Sequence, residues 1–346
     1  MDLSPEPLSP DPRWRAISEP TFLMCPPELY DVSYVINPWM EGNVNRSCRQ
    51  QAMAQWQQLH CALAEIAQVE LVEPQPGSPD MVFTANAGLV HRGVVALSSF
   101  RHPERQGEEP HFRKWFDDSG FGVCDVPRAT PFEGEGDALF ATDGSCLWAG
   151  HGIRTLLASH RHLSQTWNVD VVPLRLVDPR FYHLDTCFCP LFGEYLMYFP
   201  GAFDAASQSR IEAHYPEQRR IAVAEADALR FACNAINVGR TILLNEISGE
   251  LRSRLESLGF ALIEVPLSEF LKAGGAAKCL ALRLSEMDVT HNAARSAHAA
   301  SPRAQAAEPE PALQPPGIVR YNTRYYEENR IRFAARRAHG DAFLGG

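Results

Sequence analysis

The segment GFALIEVP at residues 259–266 decides the fold, because close variants of it recur along the chain. The related apolar runs are VELVEP (69–74), GFGVCDVP (120–127), WNVDVVP (167–173) and the weaker RRIAVAEAD (219–227). A motif that recurs along a chain in this way indicates a fold built from one repeated unit. The sequence therefore predicts five equivalent units.

Each unit combines a helix with a pair of strands. Residues 45–67 place apolar side chains at helical spacing on what would be one buried face, namely Met53, Trp56, Leu59, Leu63 and Ile66. Residues 247–260 repeat that pattern before the copy at 259–266. After each copy, a loop leads to apolar runs that predict a hairpin, as in HLDTCFCPL with EYLMYF.

The two ends of the repeat array each lack a partner strand. The last unit offers AKCLALRL alone, and TFLMCPP near the N-terminus is also alone. We expect these ends to pair and close a ring. The predicted fold class is therefore α/β: a five-bladed, pseudo-symmetric α/β propeller of ββαβ repeats.

Composition excludes several classes of partner. The chain of 346 residues has 42 Asp and Glu against 32 Lys and Arg, which argues against a nucleic-acid partner. No stretch approaches the roughly 20 apolar residues of a membrane span, so we expect no membrane partner. The N-terminal residues lack the order of a signal peptide, and we expect a cytoplasmic protein. Nine cysteines, an odd number, then predict reduced thiols.

The ends of the chain differ in composition from its centre. We predict a Pro-rich extension at 1–19, a catalytic propeller domain at 20–287, a disordered linker at 288–317 and a short basic tail, helical or not, at 318–346. The tail is too short for a core of its own. It is therefore expected to be a solvated or packed appendage. The sequence leaves a homo-oligomer open.

Polar residues stand where each predicted hairpin begins. In a ring of repeats, equivalent positions converge on the axis, which makes the axis the candidate active site. The residues concerned are Asp80 and Asn86, Glu133 and Asp137, His183 and Asp185, Asn234, and Cys279.

FYHLDTCFCPL at 181–191 alternates His183, Asp185, Cys187 and Cys189, which a strand would place on one face. A straight strand rises about 3.3 Å per residue, so these groups would be too far apart to bind one metal ion. We expect no metal, and we interpret Cys187 and Cys189 as small buried residues. His183 and Asp185 are either a hydrogen-bonded structural couple or groups that contact one substrate.

Cys279 follows the small-residue run KAGGAAK, which permits a close approach of backbone and ligand. Alone it would be taken for a buried core cysteine, but a thiolate with a histidine nearby is a typical nucleophile and base. Carboxylates would raise the pKa of this thiol unless a cation were present, so we expect a cationic substrate, such as a guanidinium. Arg105 and Arg154 would hold a substrate carboxylate, or else form surface salt bridges.

The motifs PDMVFTANAG, FEGEGDALF, GHGIRT, FYHLDTCFCPL and GGAAKCLALRL together resemble the guanidine-modifying (amidinotransferase) superfamily, which has the pentein fold. They follow the family order across about residues 20–285. The run FLMCPPELYDVSYVINPWMEGN is similar to the arginine dihydrolase domain, which in some bacteria precedes an ornithine cyclodeaminase domain. About 60 residues follow the motifs here, so we expect no second enzyme.

The resemblance implies a covalent mechanism without a metal or an organic cofactor. Cys279 would attack the guanidinium carbon, His183 would shuttle protons, and Glu133 would orient His183. The remaining residues are implied to bind L-arginine or shape its pocket: Asp80 and Asp185 at the guanidinium, Asn37, Arg105 and Arg154 at the amino-acid end, and also Asn86 and Asp137.

Two departures from the broader superfamily bear on the reaction. Deiminases carry an Asp in the FTxD position, where this chain has Asn86, and their EGGD is one residue shorter than EGEGD at 133–137. A neutral amide weakens the preference for a charged guanidinium over a neutral urea. We therefore predict an arginine dihydrolase that yields ornithine, two ammonia and carbon dioxide. The alternatives are arginine deiminase or dimethylarginine hydrolase, an amidinotransferase, and a non-catalytic binding protein.

Overall fold

The computed structural model describes residues 20–285. The predicted extension at 1–19, the linker at 288–317 and the tail at 318–346 lie outside these residues. The strands are β1 Thr21–Met24, β2 Gln68–Leu71, β3 Gly88–His91, β4 Val94–Leu97, β5 Gly122–Asp125, β6 Ala138–Phe140, β7 Leu147–His151, β8 Val171–Arg175, β9 Phe188–Leu191, β10 Tyr195–Tyr198, β11 Arg220–Ala222, β12 Ile236–Val238, β13 Thr241–Leu244, β14 Ala261–Glu264 and β15 Leu282–Arg283.

Within residues 20–285 these strands form five sheets of three, in the orders β15-β1-β2, β3-β4-β5, β6-β7-β8, β9-β10-β11 and β12-β13-β14. In each sheet the first pair is antiparallel and the second is parallel. The shared order confirms the predicted five-fold α/β propeller.

The ring closes as the sequence predicts. Strand β15 pairs with β1, and the register places Phe22 opposite Arg283 and Leu23 opposite Leu282. One sheet is thus built from both ends of the described chain. This closure brings the turn that holds Cys279 next to the units formed by the rest of the ring.

The helices cover the sheets. They are α1 Arg49–Ala64, α2 Pro103–Gln106, α3 Glu109–Asp118, α4 His160–Trp167, α5 Ala205–His214, α6 Glu225–Ala228, α7 Gly249–Ser257 and α8 Ser268–Leu271. Helices α1 and α7 lie within the predicted ranges. The buried face of α1 includes Trp56, Leu59 and Leu63 as predicted, whereas Met53 and Ile66 are only half-buried.

The prediction that HLDTCFCPL is one strand was wrong. Leu184–Thr186 form a 3-10 turn, and the strand starts only at Phe188. Side chains stabilise the turn, because Thr186 Oγ1 donates to the carbonyl of His183 at 2.6 Å and Asp137 Oδ1 accepts from the N–H of Leu184 at 3.0 Å. Such local bonds compete with a strand ladder. Alternation in the sequence therefore did not place these side chains on one strand face.

Candidate active site

The polar residues that open the units lie in short turns before the first strand of each sheet. Three of these turns are the 3-10 helices Thr84–Asn86, Gly134–Gly136 and Leu184–Thr186, and Cys279 lies in a fourth turn just before β15. Their side chains contact one another across the ring, as the hydrogen bonds below describe. The expected convergence at the axis is thus observed.

Cys279 lies in a buried turn that Asn234 holds in place. Asn234 Oδ1 accepts from the backbone N–H of Ala276 at 3.0 Å and from that of Cys279 at 3.1 Å. Asn234 Nδ2 donates to Cys279 Sγ at 3.1 Å and to the carbonyl of Asp185 at 3.2 Å. A single amide therefore orients both the turn and the sulfur atom.

Asp185 is the carboxylate beside the thiol. Cys279 Sγ donates to Asp185 Oδ2 at 3.4 Å. The other oxygen, Oδ1, is buried and has no hydrogen-bond partner among the described residues. A buried carboxylate oxygen without a partner is costly, and so marks a position for a donor from outside the protein.

Both groups favour the protonated state when the site holds no cation. Burial, and next the charge of Asp185, raise the pKa of Cys279 well above its ordinary value. Burial raises the pKa of Asp185 to about 7, against the attraction of Lys278. A neutral thiol is a weak nucleophile, so the site needs a positive charge to activate its cysteine.

His183, Glu133 and Arg154 form a hydrogen-bonded chain. His183 Nε2 lies 2.7 Å from Glu133 Oε2, which also accepts from Arg154 Nη1 at 2.9 Å. Burial disfavours the Glu133 anion, but Arg154 and the hydrogen bond with His183 together hold the pKa of Glu133 well below its ordinary value. Glu133 is therefore an anion that fixes the imidazole ring.

Asp137 lies behind this chain. Its Oδ2 accepts from Thr155 Oγ1 at 2.6 Å, and its Oδ1 accepts from the N–H of Leu184 at 3.0 Å. Thr155 Oγ1 in turn accepts from the N–H of Glu133 at 3.1 Å. Both oxygens of Asp137 thus bind protein groups, and Asp137 is not among the side chains that line the cavity.

A second cluster surrounds Arg105. Its Nε and Nη2 bind Glu108 Oε1 and Oε2 at 2.9 and 2.8 Å, and its Nη2 also donates to the carbonyl of Asp80 at 3.2 Å. Tyr34 donates its hydroxyl to Asp80 Oδ2 at 2.9 Å. Asp80 Oδ1 is buried and, within residues 20–285, lacks a hydrogen-bond partner. Asp80 thus resembles Asp185 in presenting one unsatisfied oxygen.

Asn86 connects the cluster around Arg105 to the other cluster, the chain of His183, Glu133 and Arg154. Arg105 Nη1 donates to Asn86 Oδ1 at 2.8 Å, and Asn86 Nδ2 donates to the carbonyl of Glu133 at 3.2 Å. The approach is close, since a Cβ atom on Gly136 would lie 2.3 Å from Asn86 Nδ2 and 3.3 Å from the ring of His183. Only glycine leaves room there. The two clusters are packed through Gly136 without an intervening side chain.

A cavity opens between the clusters, with about 260 Å³ of space including its mouth. Six of the ten predicted site residues line it: Asn37, Asp80, Asn86, Arg105, Arg154 and Cys279. The other four, Glu133, Asp137, His183 and Asp185, lie outside the lining. His183 still packs against it, because its ring centroid lies 4.7 Å from that of Tyr182, which does line the cavity.

Asn37 holds the wall formed by the N-terminal segment. Its Oδ1 accepts from the N–H groups of Trp39 and Met40, and its Nδ2 donates to the carbonyl of Ala273 at 3.0 Å. Arg154 Nη2 donates to the carbonyl of Ile36 at 2.9 Å in the same segment. This wall of the cavity is thus built from residues far apart in sequence.

Sequence reasoning did not assign roles to several residues that shape the site. Asn234 was noted only as a hairpin-opening residue, although its shared position with Cys279 was a signal. Tyr34 and Tyr182 carried no signal, since their contacts to Asp80 and Gly274 join distant segments. Glu108 follows Arg105 by only three residues, and this spacing was a signal for their ion pair. In residues 20–285, no group of three or more His, Cys, Asp or Glu side chains could hold a metal ion, and no helix is long and apolar enough to span a membrane.

No protein-family profile matches the chain, but related proteins do. The bifunctional arginine dihydrolase/ornithine cyclodeaminase AgrE of a Nostoc strain is 56% identical over 265 residues, which cover 77% of this chain and 38% of AgrE. The enzyme of the same description from Synechocystis, ArgZ, is 57% identical over 264 residues, covering 76% and 37%. The chain thus spans less than half the length of these two relatives.

A third relative is covered almost throughout. The dimethylarginine dimethylaminohydrolase of Mycobacterium tuberculosis is 38% identical over 264 residues, which are 76% of this chain and 85% of that protein. The chain belongs to the guanidine-modifying superfamily. Within that superfamily it is of the arginine dihydrolase domain type.

Solved structures of the guanidine-modifying superfamily share the fold. The N-terminal domain of ArgZ, a cysteine-to-serine variant bound to substrate, is 56% identical, with a TM-score of 0.77 over 77% of this chain and 98% of that one. A dimethylarginine dimethylaminohydrolase adduct with S-methyl-L-thiocitrulline is only 19% identical but has a TM-score of 0.65 over 76% and 98%. The predicted pentein fold is confirmed.

Proposed function

We propose that this protein is an arginine dihydrolase, which converts L-arginine and two water molecules to L-ornithine, two ammonia and carbon dioxide. The observation that carries the proposal is one buried site with three features. It contains the thiol of Cys279, carboxylate oxygens on Asp80 and Asp185 that have no hydrogen-bond partner within residues 20–285, and the amide of Asn86 in place of a third carboxylate.

Asp80 and Asp185 are assigned to the guanidinium. A guanidinium presents N–H donors in a fixed plane and matches carboxylate oxygens at its edges. Each of these two residues has one oxygen bound by the protein, to Tyr34 and to Cys279, and one without a partner. Binding of the cation satisfies the unpaired oxygens and supplies the charge that favours the thiolate.

The first round cleaves one carbon–nitrogen bond. The Cys279 thiol gives its proton to His183 as its sulfur forms a bond to the guanidinium carbon. Ammonia then leaves with that proton, the carbon–nitrogen bond breaks, and a covalent thiouronium remains. Water then attacks the same carbon, His183 takes its proton, and the carbon–sulfur bond breaks. The product of this round is a urea, as in citrulline.

Glu133 determines which nitrogen of His183 exchanges these protons. Because the ionised Glu133 accepts from Nε2, the neutral ring has its basic nitrogen at Nδ1. We assign Asn37 and Arg154 to the amino-acid end of the substrate, since both line the cavity. Arg105 is largely bound by Glu108 and Asn86, so we assign it to positioning Asn86. We assign Asp137 to positioning Thr155 and Leu184.

The second round depends on Asn86. Its Oδ1 is bound by Arg105 and one Nδ2 hydrogen by the Glu133 carbonyl, which leaves the second Nδ2 hydrogen for the cavity. An N–H donor fits the oxygen of a urea, whereas an Asp at this position would favour the N–H groups of a guanidinium. Cys279 then displaces the second ammonia, and water releases a carbamate of ornithine that loses carbon dioxide.

The deciding experiment follows ornithine, citrulline and ammonia over time in a reaction with arginine. Ornithine with two ammonia per arginine is expected, and Cys279→Ser should abolish both. Accumulation of citrulline with one ammonia would identify a deiminase instead and refute the dihydrolase proposal. Turnover of dimethylarginine in preference to arginine would assign the substrate of the Mycobacterium relative.

Asn86→Asp tests the role of the amide directly. We expect arginine consumption to continue while citrulline accumulates, because the carboxylate repels the urea oxygen and the Glu133 carbonyl. The ratio of citrulline to ornithine is the readout, and Asn168→Asp, at an exposed helix end, is the matched control. An unchanged product ratio would refute the role of Asn86.

The compartment and the assembly state are also proposals. All nine cysteines are free thiols, which supports the cytoplasmic location predicted from the sequence. A homo-oligomer and the role of residues 288–346 remain predictions. Removing those residues and measuring molecular mass and activity would test both.

A further inference from the structure

Glu135 and Lys278 form a buried ion pair next to the site. Glu135 is in the EGEGD segment that is one residue longer than the deiminase motif, and Lys278 directly precedes Cys279. Lys278 Nζ donates to Glu135 Oε2 and, at 3.2 Å, to the carbonyl of Ala281. Glu135 Oε2 also accepts from the backbone N–H of Arg283 at 2.9 Å. Neither side chain lines the cavity.

This pair connects three parts of the site. Glu135 is in the turn after Glu133, Lys278 is in the turn of Cys279, and Arg283 is in the strand that closes the ring. The contacts therefore tie the nucleophile turn to the turn that fixes His183.

Stability alone does not account for a buried pair of this kind. Removing two charges from water costs several kcal/mol per ion, and well-packed apolar residues are often as stable. An apolar pair would fill the same volume without charge. The charges themselves therefore call for a role at the site.

The charges of the pair act on Asp185, the carboxylate beside Cys279. The charge of Lys278 lowers the pKa of Asp185, and the charge of Glu135 raises it. The other groups around Asp185 are neutral or weakly ionised: the thiols of Cys187 and Cys189, the phenol of Tyr182 and the amide of Asn234. Arg154 lies over the Tyr182 ring on the cavity side, and its charge partly offsets the rise in the pKa of Tyr182.

We propose that Lys278 and Glu135 are positioning residues that hold the Cys279 turn and set the charge balance at Asp185 and Cys279 from outside the substrate cavity. The proposal rests on the function proposed above. Lys278 favours the Asp185 carboxylate, which must be ionised to receive the guanidinium, and Glu135 limits that effect. The pair thus keeps Asp185 ready for substrate without making the empty site strongly anionic.

The two residues have opposite charge, so their variants should have opposite effects. Lys278→Met removes a cation, which disfavours both the Asp185 carboxylate and the Cys279 thiolate. Glu135→Gln removes an anion and favours both. The expected displacement is about one pH unit in each direction, and the double variant should return to within about half a unit of the wild type.

Two readouts are needed, because one must not depend on arginine turnover. The first is the pH profile of kcat/KM with arginine. The second is the pH midpoint of iodoacetamide alkylation of Cys279 in the substrate-free enzyme, read by mass spectrometry of the Cys279 peptide so that Cys48, Cys61 and Cys124 do not interfere. Lys114→Met and Asp118→Asn, from an exposed pair, are the matched controls.

Opposite displacements of both midpoints would support the proposal. Midpoints that stay in place, or that move in the same direction in both single variants, would overturn it even if kcat fell. If wild-type protein does not consume arginine but the alkylation midpoints move oppositely, the dihydrolase proposal fails and the charge balance stands. If Lys278→Met does not fold, Lys278→Gln makes the same test, and Lys278→Arg should keep the wild-type midpoint.

Discussion

The Arg105 side of the cavity (Asp80, Asn86, Arg105 and Glu108) and the Arg154 side (Glu133, Asp137, Arg154 and His183) contain the same kinds of side chain. On the Arg105 side, Arg105 binds both oxygens of Glu108 and also donates to the amide oxygen of Asn86. On the Arg154 side the arginine shares one oxygen of Glu133 with an imidazole. A buried arginine is a fixed support where its carboxylate partner binds only that arginine, as Glu108 does. It acts on a group that can exchange protons where the carboxylate also binds an imidazole, as Glu133 does.

The largest expected difference between the sides is in catalysis. Glu133→Gln should lower kcat with arginine by about 10²–10⁴-fold, because the neutral amide no longer fixes His183 or stabilises its protonated form. Glu108→Gln is the matched variant. It should lower the melting temperature, since it leaves Arg105 buried without its counter-ion, but it should lower kcat far less than Glu133→Gln does. Equal losses of kcat in two folded variants would contradict the comparison.

Gly136→Ala should disturb both sides at once. The added Cβ would lie 2.3 Å from Asn86 Nδ2 and 3.3 Å from the His183 ring, so one of them must move. A displacement of about 1 Å costs on the order of 10²-fold in rate. Gly249→Ala, which has open space around it, is the control. Wild-type kcat/KM in Gly136→Ala would show that the two sides are not closely coupled.

The carboxylates with unpaired oxygens should make arginine binding depend on pH. Burial raises the pKa of Asp185 to about 7, so below that pH the group is neutral and does not attract the cation. In a Cys279→Ser background, the dissociation constant of arginine should rise by about tenfold per pH unit below 7. Calorimetry measures it, and Asp185→Asn should remove the dependence. A flat profile from pH 5 to 8 would exclude Asp185 as the cation ligand.

The smallest effect concerns stability on the Arg154 side. Burial raises the pKa of Asp137 to about 6, whereas the unfolded group titrates near its ordinary value. The folded state therefore binds more protons between these values. This contribution is fully present below about pH 4 and is lost as pH rises through about 6, with a change of at most about 3 kcal/mol.

Urea unfolding of wild type and Asp137→Asn between pH 4 and 7.5 measures this contribution. The stability of wild type relative to the variant should decrease as pH rises, because only wild type must ionise a buried group. If the stability of wild type relative to Asp137→Asn instead increased with pH, Asp137 would be stabilised as an anion, as Glu133 is.

The site could be predicted where its residues share a position in the repeat. Cys279, His183 and Glu133 each stand near the start of a unit, and the ring brings these starts together. Tyr34 and Glu108 hold no such position. Arg105 could be noticed, but its contacts to Asp80 and Asn86 could not be predicted, since they depend on how separate loops pack. Asp137 was expected at the substrate as one of the polar residues that open a unit, yet its side chain binds Thr155 and Leu184 instead.

The sequence by itself determined the five repeats, the pairing of the chain ends and Cys279 as the candidate nucleophile. These follow from local periodicity and from residue chemistry, which do not need coordinates. Only the tertiary structure decided that 184–186 is a turn, that Asn86 directs its oxygen to Arg105, and that Lys278 pairs with Glu135. Those outcomes depend on competition between side-chain and backbone hydrogen bonds across segments that the sequence separates by tens to more than a hundred residues.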